Sequence, residues 1–119
     1  MFSAEVLDHF EHPRHSGDLP DASVTVRAEN PACGDIMQLA LKIENGTITA
    51  ARFRTRGCVA SIACGSLLTE LIHGKTIAEA RAITRQQIVE GVGGLPRESL
   101  HASHLAMDAL AAALLKLNP

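Results

Sequence analysis

A chain of 119 residues and 12.6 kDa has room for one domain and one modest core, with roughly two-thirds of its unfolded surface buried on folding. Lys and Arg number 11 against 13 Asp and Glu, and three Phe with no Tyr or Trp make up the aromatic complement. That composition supplies neither the positive field nor the stacking platform that nucleic-acid binding uses. No apolar run reaches membrane-spanning length and no basic, apolar leader opens the sequence. The three cysteines are odd in number and widely spaced, unlike a disulfide framework, so the expectation is a cytoplasmic protein with reduced thiols.

In chain order, Val6, Leu7 and Phe10 fall at helical spacing, which predicts a first helix from Ser3 to Glu11 with Ser3 as its N-cap and Pro13 beyond its end. Arg14 to Asp21 holds Gly17 and Pro20 and reads as a loop. Val24, Val26 and Ala28 alternate with polar neighbours as in a half-buried strand. The turn chemistry of Asn30-Pro31-Ala32-Cys33-Gly34-Asp35 interrupts it, and Met37, Leu39, Leu41 and Ile43 then alternate in a second strand. Asn45-Gly46 signals a tight hairpin into a third strand over Thr47 to Thr55. The apolar parity of that strand shifts between Ile48 and Phe53, which predicts a bulge near Ala50-Ala51.

A long helix is expected from Val59 to His73, with Val59, Ile62, Ala63, Leu67 and Leu71 as its apolar stripe and Gly74 as its stop. Thr76 with Glu79, and Thr84 with Gln87, have capping-box spacing and predict two short helices. Gly91 to Pro96 is a break before a last helix over Arg97 to Leu117. Three antiparallel strands with helices packed on them make an α+β fold in a single domain spanning residues 1–119.

Two junctions can carry chemistry. At Cys33-Gly34-Asp35 a tight turn lets a thiolate and a carboxylate point at one centre. Cys58, after Gly57, precedes the long helix, where the helix dipole favours thiolate. Counting outward from Asn45-Gly46, Cys33 lies about a dozen residues back and Cys58 about a dozen forward, so hairpin pairing brings both to one end of the sheet. The competing reading for each thiol is a small buried hydrophobe. Cys64 lies about 240° around the helix from Cys58 and belongs to the core. His101 and His104 can share a face of the last helix, and imidazole, thiolate and carboxylate together suit zinc or iron. His9, His12 and His15 are also spaced by three, but Pro13 breaks their face and they read as solvated. Arg52, Arg54 and Arg56 alternate along one strand face, exposed by default and suited to docking an acidic partner.

These segments, in their order, resemble the iron–sulfur cluster assembly scaffolds, the family of IscU and the NifU N-terminal domain. The likeness runs through Val6-Leu7-Asp8-His9-Phe10-Glu11-His12-Pro13-Arg14, Asn30-Pro31-Ala32-Cys33-Gly34-Asp35-Ile36-Met37 and Ala51-Arg52-Phe53-Arg54-Thr55-Arg56-Gly57-Cys58. It continues in Glu70-Leu71-Ile72-His73-Gly74-Lys75-Thr76, Leu100-His101-Ala102-Ser103 and Ala106-Met107-Asp108-Ala109. The resemblance implies an IscU/NifU-like fold and a scaffold rather than an enzyme. On it, a cysteine desulfurase delivers sulfur as persulfide, iron is added, and a transient [2Fe-2S] cluster passes to acceptor apoproteins. It also implies a ligand set of Cys33, Asp35, Cys58 and His101.

Two positions depart from the family. Ala102 stands where the family has its third cysteine, a main sulfur acceptor. The remaining four donors suit a weakly held cluster or one tetrahedral Zn²⁺, so the second reading is a zinc-binding homologue that docks to a desulfurase or regulates it. A partner protein, or a second copy of the chain in a homo-oligomer, is a source of the missing ligand. Cys64 and His104 are weaker candidates. Leu95-Pro96-Arg97-Glu98-Ser99 keeps only two residues of the family's Leu-Pro-Pro-Val-Lys chaperone-recognition segment, so chaperone-driven release is not implied.

Overall fold

The computed structural model describes residues 1–31 and 34–117. Helix α1 (Ala4–Glu11) is followed by strands β1 (Val24–Glu29), β2 (Ile36–Glu44) and β3 (Thr47–Arg56). Helices α2 (Val59–Ile72), α3 (Ile77–Arg81) and α4 (Arg85–Gly91), a 3₁₀ turn (Arg97–Ser99) and α5 (His101–Leu117) complete the order. The strands form an antiparallel sheet in the order β1-β2-β3. One face of it packs under α2 and α5, and α1 packs on α2. No helix among the described residues is long and apolar enough to cross a membrane.

Local chemistry sets most boundaries. Ser3 Oγ accepts the Val6 N–H at 3.0 Å to cap α1. Both predicted capping boxes are formed, at Thr76 with Glu79 and at Thr84 with Gln87. Asn45 and Gly46 take φ of 53° and 74°, the left-handed pair that a two-residue hairpin needs. The bulge lies one residue earlier than expected. Ala50 faces Lys42 and Ile48 faces Ile43, so Thr49 is the extra residue.

Helix α2 departs further from its predicted stripe. Val59, Ile62 and Leu71 are only half-buried, whereas Ala60, Ala63, Cys64, Leu67, Leu68 and Ile72 are buried. The helix lies between β3 on one side and α1, α4 and α5 on the others, so most of its circumference is covered. Polar Ser61, Ser66 and Thr69 are buried with it. Ser66 Oγ accepts the Arg14 N–H at 2.8 Å and makes a second hydrogen bond with His9 Nδ1, 2.7 Å away. Thr69 Oγ1 shares its single proton between Ser66 O at 2.8 Å and Arg14 O at 3.2 Å. Two hydroxyls thus clamp the turn after α1.

His9 is consequently 6% exposed rather than solvated, and His15 is half-buried with its ring 5.0 Å from that of His73. Only His12 of the three is exposed as expected. Beyond Pro13 the chain runs along the outer edge of β3, where His15 O accepts the Phe53 N–H and Gly17 N–H donates to Phe53 O. That edge is therefore covered.

Candidate metal centre

The hairpin places the site. Ile36, which opens β2, pairs with Arg56, which closes β3, so Asp35 on one strand and Gly57-Cys58 on the other emerge side by side at one end of the sheet. Cys58 is the N-cap residue of α2, and its side chain makes no capping hydrogen bond. The carboxylate of Asp35 comes to that helix end instead. Its Oδ2 accepts the Ser61 hydroxyl at 2.6 Å and lies 3.4 Å from the Cys58 N–H. A negative group is well placed there, because the first backbone N–H groups of a helix have no partner inside it. Gly57 admits this close approach: a Cβ on it would stand 2.6 Å from Asp35 Cγ.

His101, the first residue of α5, enters from the other side. A backbone carbonyl only accepts, so the 3.2 Å contact between His101 Nδ1 and Glu98 O assigns the proton to Nδ1. Nε2 then turns its lone pair towards Asp35 Oδ2 at 3.7 Å and Cys58 Sγ at 3.8 Å. One ligand atom from each of Asp35, Cys58 and His101 lies within 4.8 Å of the others. Metal–ligand bonds of 2.0–2.3 Å in a tetrahedron imply ligand–ligand edges of about 3.3–3.8 Å. The two edges from His101 Nε2 fall at the upper end of that range, and the third lies within 4.8 Å.

The predicted residues are placed as follows. Asp35, Cys58 and His101 converge, with Asp35 8% exposed and the other two half-buried. Cys33 lies outside the described residues. Cys64 is wholly buried, and burial, with a smaller push from the nearby Cys58, raises its thiol to about 12. His104 is exposed, and Asp35, Cys58 and His101 are the only group of three candidate ligands among the described residues. Ala102 is wholly buried in the apolar core. Arg54 and Arg56 are exposed on the outer sheet face, where with Arg27, Ile36 and Gln38 they line an open concavity of about 410 Å³. Two contributors escaped the sequence reading, Gly57 as the seat of the carboxylate and Ser61 as its donor. Their signal was local: Ser61 stands three residues after Cys58, on the same side of the first helical turn.

The sequence profile of the NifU-like N terminal domain matches residues 1–118. An iron–sulfur cluster assembly scaffold protein IscU of Archaeoglobus fulgidus is 45% identical over 114 residues, covering 96% of this chain and 74% of that protein. The Haemophilus influenzae protein of the same name is 46% identical over 117 residues, covering 95% of this chain and 92% of its own length. Among solved structures, a candidate iron–sulfur cluster assembly scaffold of the SUF system from Fervidobacterium islandicum superposes with a TM-score of 0.80 at 21% identity, over 95% of this chain and 96% of that one.

Proposed function

This chain belongs to the NifU-like N-terminal domain family, and we propose that it is an iron–sulfur cluster assembly scaffold holding its cargo between Asp35, Cys58 and His101. The carrying observation is the convergence of a carboxylate, a thiol and an imidazole nitrogen within 4.8 Å of one another, brought from the ends of three different elements. Thiolate with imidazole suits iron held with sulfide, since imidazole replaces thiolate in some two-iron centres. Cys33, two residues before Asp35, is the fourth donor in this reading. The cargo is iron and a [2Fe-2S] cluster, sulfur comes from a cysteine desulfurase as persulfide, and acceptor apoproteins receive the product. The chain acts in this as one domain and turns over no substrate of its own.

Anaerobic reconstitution with ferrous iron, cysteine and a desulfurase tests the reading. Visible cluster absorbance is expected in the wild type, lost in Cys33→Ala and Cys58→Ala and kept in Cys64→Ala. Ala102→Cys, by adding a thiol beside His101, is expected to prolong cluster retention. One observation favours a second reading: α5 contributes a buried methyl at Ala102 where a scaffold of this family carries a thiol. A chain that forms no cluster yet binds one Zn²⁺ overturns the scaffold reading and leaves the zinc-binding homologue.

A further inference from the structure

Ser61 touches two of the three groups without being a ligand in the reading above, and no part of that reading assigns it a role. It stands in the first turn of α2, wholly buried, with its Oγ 2.6 Å from Asp35 Oδ2 and 3.5 Å from Cys58 Sγ. The direction of the first bond follows from chemistry. A carboxylate accepts and a serine hydroxyl has one proton, so Ser61 donates to Asp35 at the short distance of a charge-assisted O–H···O⁻ bond. With that proton committed, Ser61 offers the Cys58 sulfur only lone pairs.

We propose that Ser61 is a positioning residue for the metal site, aiming the Asp35 carboxylate at the point where Cys58 and His101 meet. The proposal rests on the reading of those three residues as ligands. The other hydrogen bond from α2 to the same oxygen, from Cys58 N–H, is longer at 3.4 Å, so the Ser61 hydroxyl is the stronger restraint. It pulls the carboxylate towards the helix while the bare Cα face of Gly57 lets it lie flat against the chain. Ligating carboxylates are commonly hydrogen-bonded in this way. Ser61 sits on a helix in the core rather than in a loop, so the position it imposes is rigid.

Anaerobic cobalt(II) titration of the full chain, read through thiolate-to-cobalt charge-transfer and ligand-field absorption, tests this in wild type, Ser61→Ala, Asp35→Ala and the double variant. Ser61→Ala is expected to weaken cobalt binding about tenfold while bound cobalt keeps its thiolate band. In the Asp35→Ala background the same substitution is expected to change affinity by less than about twofold, because the group it positions is gone. Equal losses in both backgrounds would mean a merely structural role and overturn the proposal, as would a Ser61→Ala chain that binds like the wild type. Ser61→Thr keeps the hydroxyl and is expected to bind within about threefold of the wild type. A folded Thr variant as weak as a tenfold-impaired Ala variant also overturns it. A wild type that binds no cobalt, or a Cys58→Ala chain that binds equally well, removes the ligand reading and the proposal with it. Failure confined to the Ser61 variants removes the proposal alone.

Discussion

Gly57→Ala is a sharp test of how the site is built. The added Cβ would stand 2.6 Å from Asp35 Cγ, 2.8 Å from Oδ2 and 2.9 Å from Oδ1. Carbon pairs rest at about 3.5–4.0 Å, so the carboxylate must retreat by about 0.9 Å or more. The retreat misaligns the 2.6 Å bond to Ser61 and shifts Oδ2 from its 3.7 Å edge with His101 Nε2. Gly57 does not occupy the left-handed region, so alanine's backbone preference adds no strain and the clash is the whole perturbation. Overpacking of this kind costs about 1–3 kcal/mol of stability, and a displaced ligand of this kind weakens metal binding by about 10–100-fold. Cobalt(II) titration with thermal unfolding in parallel measures both. In an Asp35→Ala background the clash vanishes, and Gly57→Ala is expected to have little further effect on either quantity. A Gly57→Ala chain that binds cobalt like the wild type, or loses as much without Asp35 as with it, would refute the geometry.

Ser66→Ala removes a hydroxyl that serves Arg14 N–H and His9 Nδ1 together, and two polar groups left unpaired lower stability by about 2–4 kcal/mol. Urea unfolding checks this, and a loss below about 1 kcal/mol contradicts the clamp. Burial, aided by Arg14 for His9 and by His73 for His15, holds both histidines below their ordinary value, so the unfolded chain binds protons more readily. Their contribution is therefore complete above about pH 6.5 and is lost as pH falls from there towards the folded-state values. Urea midpoints across that range are expected to fall more steeply for the wild type than for His9→Asn, and parallel slopes would count against a buried neutral His9. Burial also predicts that iodoacetamide modifies Cys58 in the native chain and reaches Cys64 only after denaturation, as mass-mapped labelling would show.

The parts of the fold legible in the sequence are those whose chemistry is local. Asn45-Gly46 sets its own turn, and each capping box closes across three residues, so both could be read directly. The same hairpin carries Asp35 to Cys58, which made two of the converging residues accessible to counting. His101 was not accessible that way. Its spacing with His104 marked it as a candidate ligand and the resemblance assigned it to the site, but nothing local brings the start of α5 over the end of the sheet. Helix α2 misled for a related reason: a helix covered on most sides has no single apolar face for periodicity to reveal. Its buried hydroxyls find partners far along the chain, Ser61 at a separation of 26 residues and Ser66 at 57. His9 reads as solvated when Ser66 is out of view. The bulge was visible as a parity shift, but its position at Thr49 was settled by pairing with β2.

The site and the fold share one set of hydrogen bonds. Because Cys58 caps α2 with no side-chain bond of its own, Asp35 takes over part of that task from outside the helix, a contribution of about 0.5–2 kcal/mol by analogy with ordinary N-caps. Asp35 is thus held in ligand geometry by the stability of α2 before any metal arrives. The arrangement carries an opposing strain. With the His101 proton on Nδ1, the Nε2 lone pair faces a carboxylate oxygen across 3.7 Å, and a metal ion between them would turn that repulsion into attraction. In the proposed scaffold reading, a cation would meet a carboxylate that is already oriented. Without a cation, Ser61 and the Cys58 N–H still hold the carboxylate, so the proposed binding and release of cargo would not require that end of the sheet to refold.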